Sequence, residues 1–214
     1  MFKTKMNIVQ IFRGVDVAAR SDKREELKAR LIVAARKRIE AQGVRGLRAR
    51  DITSDAGCAL GGLYNAFADL QDLIIHVNGE TLDALEARLS AAVSAAGTDP
   101  RERLEALALA YLDFAGEHRA LWFALFDAAS LADTTIPDWH REQQRSLVGL
   151  IAEPLRAIET ELDEAHLAAR AQALFAAVHG IVTLSLEERT IGLSGDPLAH
   201  ELRTLVRRMT TAQL

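Results

Sequence analysis

Apolar side chains recur along this chain at intervals of three and four residues, and no stretch of useful length alternates with a period of two. That spacing sets them along one side of successive α-helices and predicts no sheet. Leu27, Leu31, Ile32, Ala35 and Ile39 mark a first helix over about 22–42. Asp22 and Glu25 precede it at capping-box spacing, and Gly43 follows where a helix ends. Residues 47–73 read as short helical stretches around Gly57. Asp69 and Asp72 then cap a longer helix that runs to about Ala96, with Leu70, Leu73, Ile74, Val77, Leu85 and Leu89 on one side. Asp99, Pro100 and Glu102 supply an N-cap, a first-turn proline and an acidic third position, a strong start signal. Leu104, Leu107, Ala108, Tyr111, Leu112 and Phe114 carry that helix to about Gly116, and an aromatic run, HRALWFALFD, follows. Beyond a break at 134–137, helices are predicted over about 138–160, 163–190 and 197–211. The expected fold is all-α, with about nine helices.

Composition agrees with this pattern. The chain has 214 residues, 49% of them hydrophobic and 26% charged, as in a globular protein with a sizeable core. One cysteine, Cys58, excludes an internal disulfide framework and suits a reducing, cytoplasmic setting. No uninterrupted apolar run reaches the ~18–20 residues of a membrane helix, so no membrane partner is expected. Charge is unevenly spread. Residues 1–70 hold 14 Lys/Arg against 8 Asp/Glu, whereas the remainder holds 12 against 22. A basic head on an acidic body points to a polyanionic partner for the head, with chance clustering on a solvated face as the alternative. The first 21 residues, with Lys3, Lys5, Arg13 and Arg20, read as a flexible basic arm.

Residues 47–73 have the layout of a helix-turn-helix. Ile52 and Ala56 lie on a short helix, Gly57 makes the turn, and Leu63 and Phe67 point a second short helix inward. The second helix of such a pair lies in the DNA major groove. The run Arg50-Asp51-Ile52, Ala56-Gly57, Gly61, Leu63-Tyr64, Phe67 and Leu73 resembles the tetracycline-repressor (TetR) family of bacterial transcriptional regulators. In the body, Tyr111, Phe114, His118, Leu121, Phe126, His179 and Gly180 resemble the family subset with a WHG-type C-terminal signature. The resemblance implies an N-terminal three-helix DNA-binding domain over 22–68. It also implies a helical ligand-binding and dimerisation domain over 69–214, a double-stranded DNA operator, a small effector and a homodimer. Ala59, Ala66 and Leu70 depart from the Ser or Thr, His and Lys usual in the family at these positions.

No Lys or Arg occurs between Asp51 and Asp83, so the second helix cannot read guanine with a cationic side chain. Phosphate contacts are therefore expected from Arg45, Arg48, Arg50, Lys23, Arg24, Lys28 and the arm. Ala59, Leu60, Gly61, Gly62, Tyr64 and Asn65 complete the candidate DNA face, with Tyr64 on a phosphate and Asn65 on adenine. Each of these has a plain alternative: Tyr64 as packing, Gly61 and Gly62 as marks of a frayed helix, the arginines as ordinary surface charge. Tyr111, Phe114, His118, Trp122, Phe126, Trp139, Phe175 and His179 are the candidate effector contacts, or else core. The six histidines show no metal-ligand spacing, and neither a phosphate-binding loop nor a nucleophile elbow occurs, so neither metal, cofactor nor enzymatic activity is expected. The leading reading is a DNA-binding transcriptional regulator, a repressor released by a small apolar effector. The competing reading is a helical ligand-binding protein that has lost DNA binding, suggested by the missing lysine.

Overall fold

The computed structural model describes residues 8–127, 134–187 and 193–211, and within these it contains nine α-helices, one 3-10 turn and no strand. The helices are α1 (Ile8–Gln42), α2 (Ala49–Asp55), α3 (Leu60–Ala66), α4 (Leu70–Ala95) and α5 (Pro100–Glu117), then α6 (Arg119–Leu125), α7 (Asp138–Ile158), α8 (Glu164–Leu186) and α9 (Gly195–Met209). They form two compact units that divide within α4, between Val77 and Asn78.

In the N-terminal unit α1, α2 and α3 pack on one another. Leu31, Ala35 and Ile39 of α1, Ile52 of α2 and Leu63 of α3 are fully buried, which is the apolar side that the sequence period marks. Gly43 takes a φ of 75° and donates from its N–H to the Ile39 carbonyl, closing α1 as expected. Gly57, with a φ of 67°, turns α2 into α3, a backbone conformation in which a side chain would be strained. Arg38 is held bidentately by Asp55 at 2.6 and 2.9 Å, so α1 is fastened to the end of α2 by a cation that the fold itself uses.

The start of α1 differs from the expectation. The helix begins at Ile8, so residues 8–21, read as a flexible arm, are helical, and Asp22 is an interior position instead of a cap. The cause is visible in the segment: it contains no proline, and Ile8, Ile11, Phe12 and Val15 continue the helical period upstream. Residues 1–7 of the arm lie outside the described residues.

The C-terminal unit is built on α5, which packs against α6, α7, α8 and α9. Its start is the predicted one: the Asp99 carboxylate accepts from the Arg101 N–H at 2.8 Å, with Pro100 in the first turn. The start of α4 is capped reciprocally. Asp69 accepts from the Asp72 N–H at 2.7 Å, and Asp72 accepts from the Ala68 N–H at 2.9 Å. The aromatic run beyond α5 forms α6, and Trp122 in it is completely buried. Glu105 on α5 is buried and paired with Arg207 on α9, while Arg103 reaches Glu153 on α7 at 3.2 Å. Helix α8 is long and apolar enough, by length and composition, to cross a membrane, although Arg170, Gln172 and His179 interrupt its apolar run. Its Leu167, Ala171, Leu174, Val178 and Val182 side is buried in the unit's core, as in a core helix of a globular domain.

Candidate nucleic-acid interface and effector cavity

The exposed side of α3 follows from its burial pattern. Leu63 and Ala66, with Phe67 just beyond, are buried against the unit. Ala59, Leu60, Gly61, Tyr64 and Asn65 are exposed, with Leu60 37% and Tyr64 56% accessible, unusual for side chains of this size. Leu60 and Tyr64 are four residues apart, as are Gly61 and Asn65, so the four form one patch. Gly62 is different. A Cβ at Gly62 would meet Cys58 Sγ at 3.2 Å and Leu27 at 3.7 Å, whereas one at Gly61 would meet nothing within 4 Å. Gly62, expected on the DNA face, is half-buried, and Cys58 leaves little room for a side chain there, because adjacent helix positions point about 100° apart.

Arg48 occupies the N-cap position of α2 and Arg50 lies in its first turn; both are exposed and neither forms an ion pair among the described residues. Cations at the start of a helix oppose its dipole, so these arginines add nothing to the stability of α2 and remain available to an external anion. Arg45, in the 3-10 turn Val44–Gly46, is exposed as well.

The C-terminal unit contains an apolar cavity of about 200 Å³. Leu82, Leu85 and Leu89 of α4, Leu104 and Leu107 of α5, and Leu147 and Ile151 of α7 make much of its wall. Among the described residues that line it, Tyr111, His140 and Gln144 are the ones with polar side chains. Tyr111 is buried, and that burial pushes its phenol well above its ordinary pKa, so it is a neutral hydroxyl. It lies 2.8 Å from His179 Nδ1. Thr183 donates to the His179 carbonyl at 2.8 Å, so its oxygen is free to accept from His179 Nε2 at 3.3 Å. That leaves Nδ1 as the acceptor for the Tyr111 hydroxyl. Burial lowers the His179 pKa, which keeps the ring neutral in this relay.

The consequence for stability has a definite sign. In the unfolded chain His179 takes up a proton near its ordinary 6.5, while in the fold it resists protonation to lower pH. Its contribution is present above pH 6.5 and falls as the pH drops toward the folded value. Melting temperatures of the parent and His179→Leu, compared between pH 8 and pH 5, should show a steeper decline for the parent; equal slopes would contradict the assignment.

Of the eight expected effector contacts, Tyr111, Phe126 and Phe175 line the cavity. His179 stands behind them, with its ring 4.2 Å from that of Phe126 and 5.4 Å from that of Phe175. The other four do not line it. Trp122 is core, Phe114 is buried against the His118 ring at 4.6 Å, and His118 is exposed at the junction of α5 and α6. Trp139 lies over Gly79, where a Cβ would meet its ring at 2.6 Å, and the next residue, His140, is the one turned to the cavity. Trp139 is the larger aromatic of the two, but one step along a helix rotates the side chain by about 100°. His140 and Gln144 were missed; their i, i+4 spacing at the start of α7 was the available signal.

Residues 104–209 match the model of the tetracyclin repressor-like C-terminal domain. The chain belongs to the tetracycline-repressor (TetR) family. Solved structures agree in fold along the chain, including the N-terminal part that the domain model does not reach. A protein from Rhodococcus sp. RHA1 is 25% identical with a TM-score of 0.71, covering 86% of this chain and 96% of that one. RolR, in complex with resorcinol, is 22% identical with a TM-score of 0.65, covering 90% and 91%. A TetR transcriptional regulator from Rhodococcus sp. RHA1 is 15% identical with a TM-score of 0.63, covering 87% and 97%. No curated protein sequence matches the chain. Within the TetR frame, the relay Tyr111–His179–Thr183 falls on the two body segments that carried the resemblance in sequence.

Proposed function

We propose that this TetR-family chain is a DNA-binding transcriptional regulator, a repressor that dimerises through its body over 69–214 and releases DNA from its 22–68 domain when a small apolar effector fills the cavity. The observation that carries this is the presence, in one chain, of a three-helix unit whose third helix, α3, keeps one side exposed and of an apolar cavity of about 200 Å³. An engineered cavity of ~150 Å³ takes benzene, so the volume fits a single small ring. The resorcinol bound by RolR is a ligand of that size class. Tyr111, His140 and Gln144 would orient a polar substituent on such a ring, and the apolar wall excludes a charged one. Coupling would run through α4, a continuous helix whose residues belong to both units. An effector that favours one setting of α4 would change the separation of two recognition helices, which must match half-sites ~34–36 Å apart.

Dimerisation rests on α8. Ala169, Ala173, Ala176, Gly180 and Leu184 recur at helical spacing on its outer side, and Gly180 has no neighbour within 4 Å of a Cβ position. A second copy of the chain related by a two-fold axis would close on this side with α9. Light scattering is expected to give twice the 23.4 kDa chain mass at micromolar concentration, and Gly180→Arg to return the monomer. A parent that remains monomeric would overturn this arrangement.

The decisive test combines binding and release. Duplexes selected from genomic fragments should be bound at low salt and released by ligands that raise the melting temperature. A ligand at 100 times its Kd adds ~2.7 kcal/mol of stability. Ala108→Leu, which fills the cavity from a buried wall position, should abolish both the thermal shift and the release while DNA binding persists. If the parent binds no duplex yet retains the thermal shift, the ligand-binding reading without DNA binding replaces this one; the missing cation between Asp51 and Asp83 is the observation that favours it.

A further inference from the structure

The exposed patch on α3 has an unusual chemistry for a surface offered to a polyanion. Leu60, Gly61 and Ala59 carry no polar side-chain atom, and Tyr64 presents a ring with one hydroxyl. Asn65 is the only amide there, with an NH2 that donates and a carbonyl oxygen that accepts side by side. The cations of the same unit lie on other elements: Arg45, Arg48 and Arg50 in the turn before α2 and at its start, and Lys23, Arg24 and Lys28 on α1. Affinity for phosphate and contact with base edges are therefore divided between different elements. In the major groove each base pair shows a distinct edge, and one of its features is apolar: the C5-methyl group of thymine. Leu60 and Tyr64, 37% and 56% accessible and one helical turn apart, together offer an apolar contact surface of this kind on the exposed side of α3.

Resting on the DNA-binding reading above, we propose that α3 recognises its operator through thymine methyl groups, with Leu60 and Tyr64 packed on C5-methyls and Gly61 leaving room for the base edge between them. Gly61 supports this. Nothing in the unit crowds a Cβ there and its backbone is helical, so the fold itself does not require glycine, which weakens a helix relative to alanine. Gly62, one residue on, is explained by Cys58 and needs no partner. Operator half-sites should accordingly carry thymines under α3, with the single amide of Asn65 on a neighbouring adenine.

The test replaces each thymine of a bound duplex with deoxyuridine, which removes the methyl and leaves pairing intact. Each methyl contacted by α3 should cost about fourfold in affinity, the factor given by ~0.8 kcal/mol per buried carbon. The salt slope should not move, because no phosphate contact is lost. Leu60→Ala should weaken binding to the thymine duplex and erase the thymine-to-uracil difference at one position, a readout that a lost packing contact within the unit would not move. Gly61→Ala should raise the melting temperature slightly and lower affinity, opposite signs that a purely structural glycine would not produce. Thymine and uracil duplexes bound equally at every position would overturn the proposal while leaving the regulator reading in place. A parent that binds no duplex at low salt would remove both.

Discussion

Replacing Arg48 and Arg50 together by alanine is expected to reduce the slope of log K against log salt concentration by about 1.8, at ~0.9 per phosphate contact. Extrapolated from 1 M to 0.1 M salt, that slope corresponds to about a 60-fold loss of affinity. Both arginines are exposed and unpaired among the described residues, so the fold does not consume their charge. Arg38 supplies the contrast: it is bound to Asp55 and lies 3.6 Å from Asp51, and its loss would act through stability. Specific and random duplexes should lose affinity alike, because a phosphate contact carries no base identity. Asn65→Ala should relax preference at one base pair with little change in slope. The melting temperature of the double variant should stay close to the parent's, as for other surface changes. A slope unchanged from the parent would place the phosphate contacts elsewhere, on Arg45 or on α1.

The largest effect on stability is expected from Trp122→Ala. Trp122 is completely buried, and its ring meets those of Tyr111, Phe123, Phe126 and His179 at centroid distances of 5.9, 5.1, 5.2 and 5.2 Å. Truncating a buried aromatic to alanine costs about 3–5 kcal/mol. At 2–4 °C per kcal/mol for a chain of this length, melting should fall by roughly 6–20 °C. Tyr111 and Phe126 also line the cavity, so effector affinity should fall with it. Trp122→Phe should cost much less. It keeps a ring in place in the same aromatic cluster. Circular dichroism melts of the two variants check the order, and a Trp122→Ala melt within two degrees of the parent's would show that this ring is not central to the core.

The sequence alone determined what depends on neighbours along the chain. Helical periodicity identified the apolar sides that the structure buries, down to Leu31, Ile39, Leu63 and Leu73. Local chemistry placed the turn at Gly57, the end of α1 at Gly43, and the starts of α4 at Asp69 and α5 at Asp99, since a cap or a positive φ is satisfied within four residues. The run from Arg50 to Leu73, followed by helices alone, was enough to indicate the TetR fold. Tertiary structure decided what depends on residues far apart in the chain. Periodicity states that Tyr111, Phe114, Trp122 and Phe175 are apolar-side residues, but not which of them faces a void and which fills the core. That depends on how α5, α6, α7 and α8 pack, and it sent Trp122 inward and brought His140 and Gln144 to the cavity. The Tyr111–His179 hydrogen bond joins positions 68 residues apart, and no local rule reaches that distance. Gly61 and Gly62 are adjacent and chemically identical in sequence. Only the packing of α3 on α1, which brings Leu27 within 3.7 Å of a Cβ at Gly62 and leaves Gly61 open, separates them.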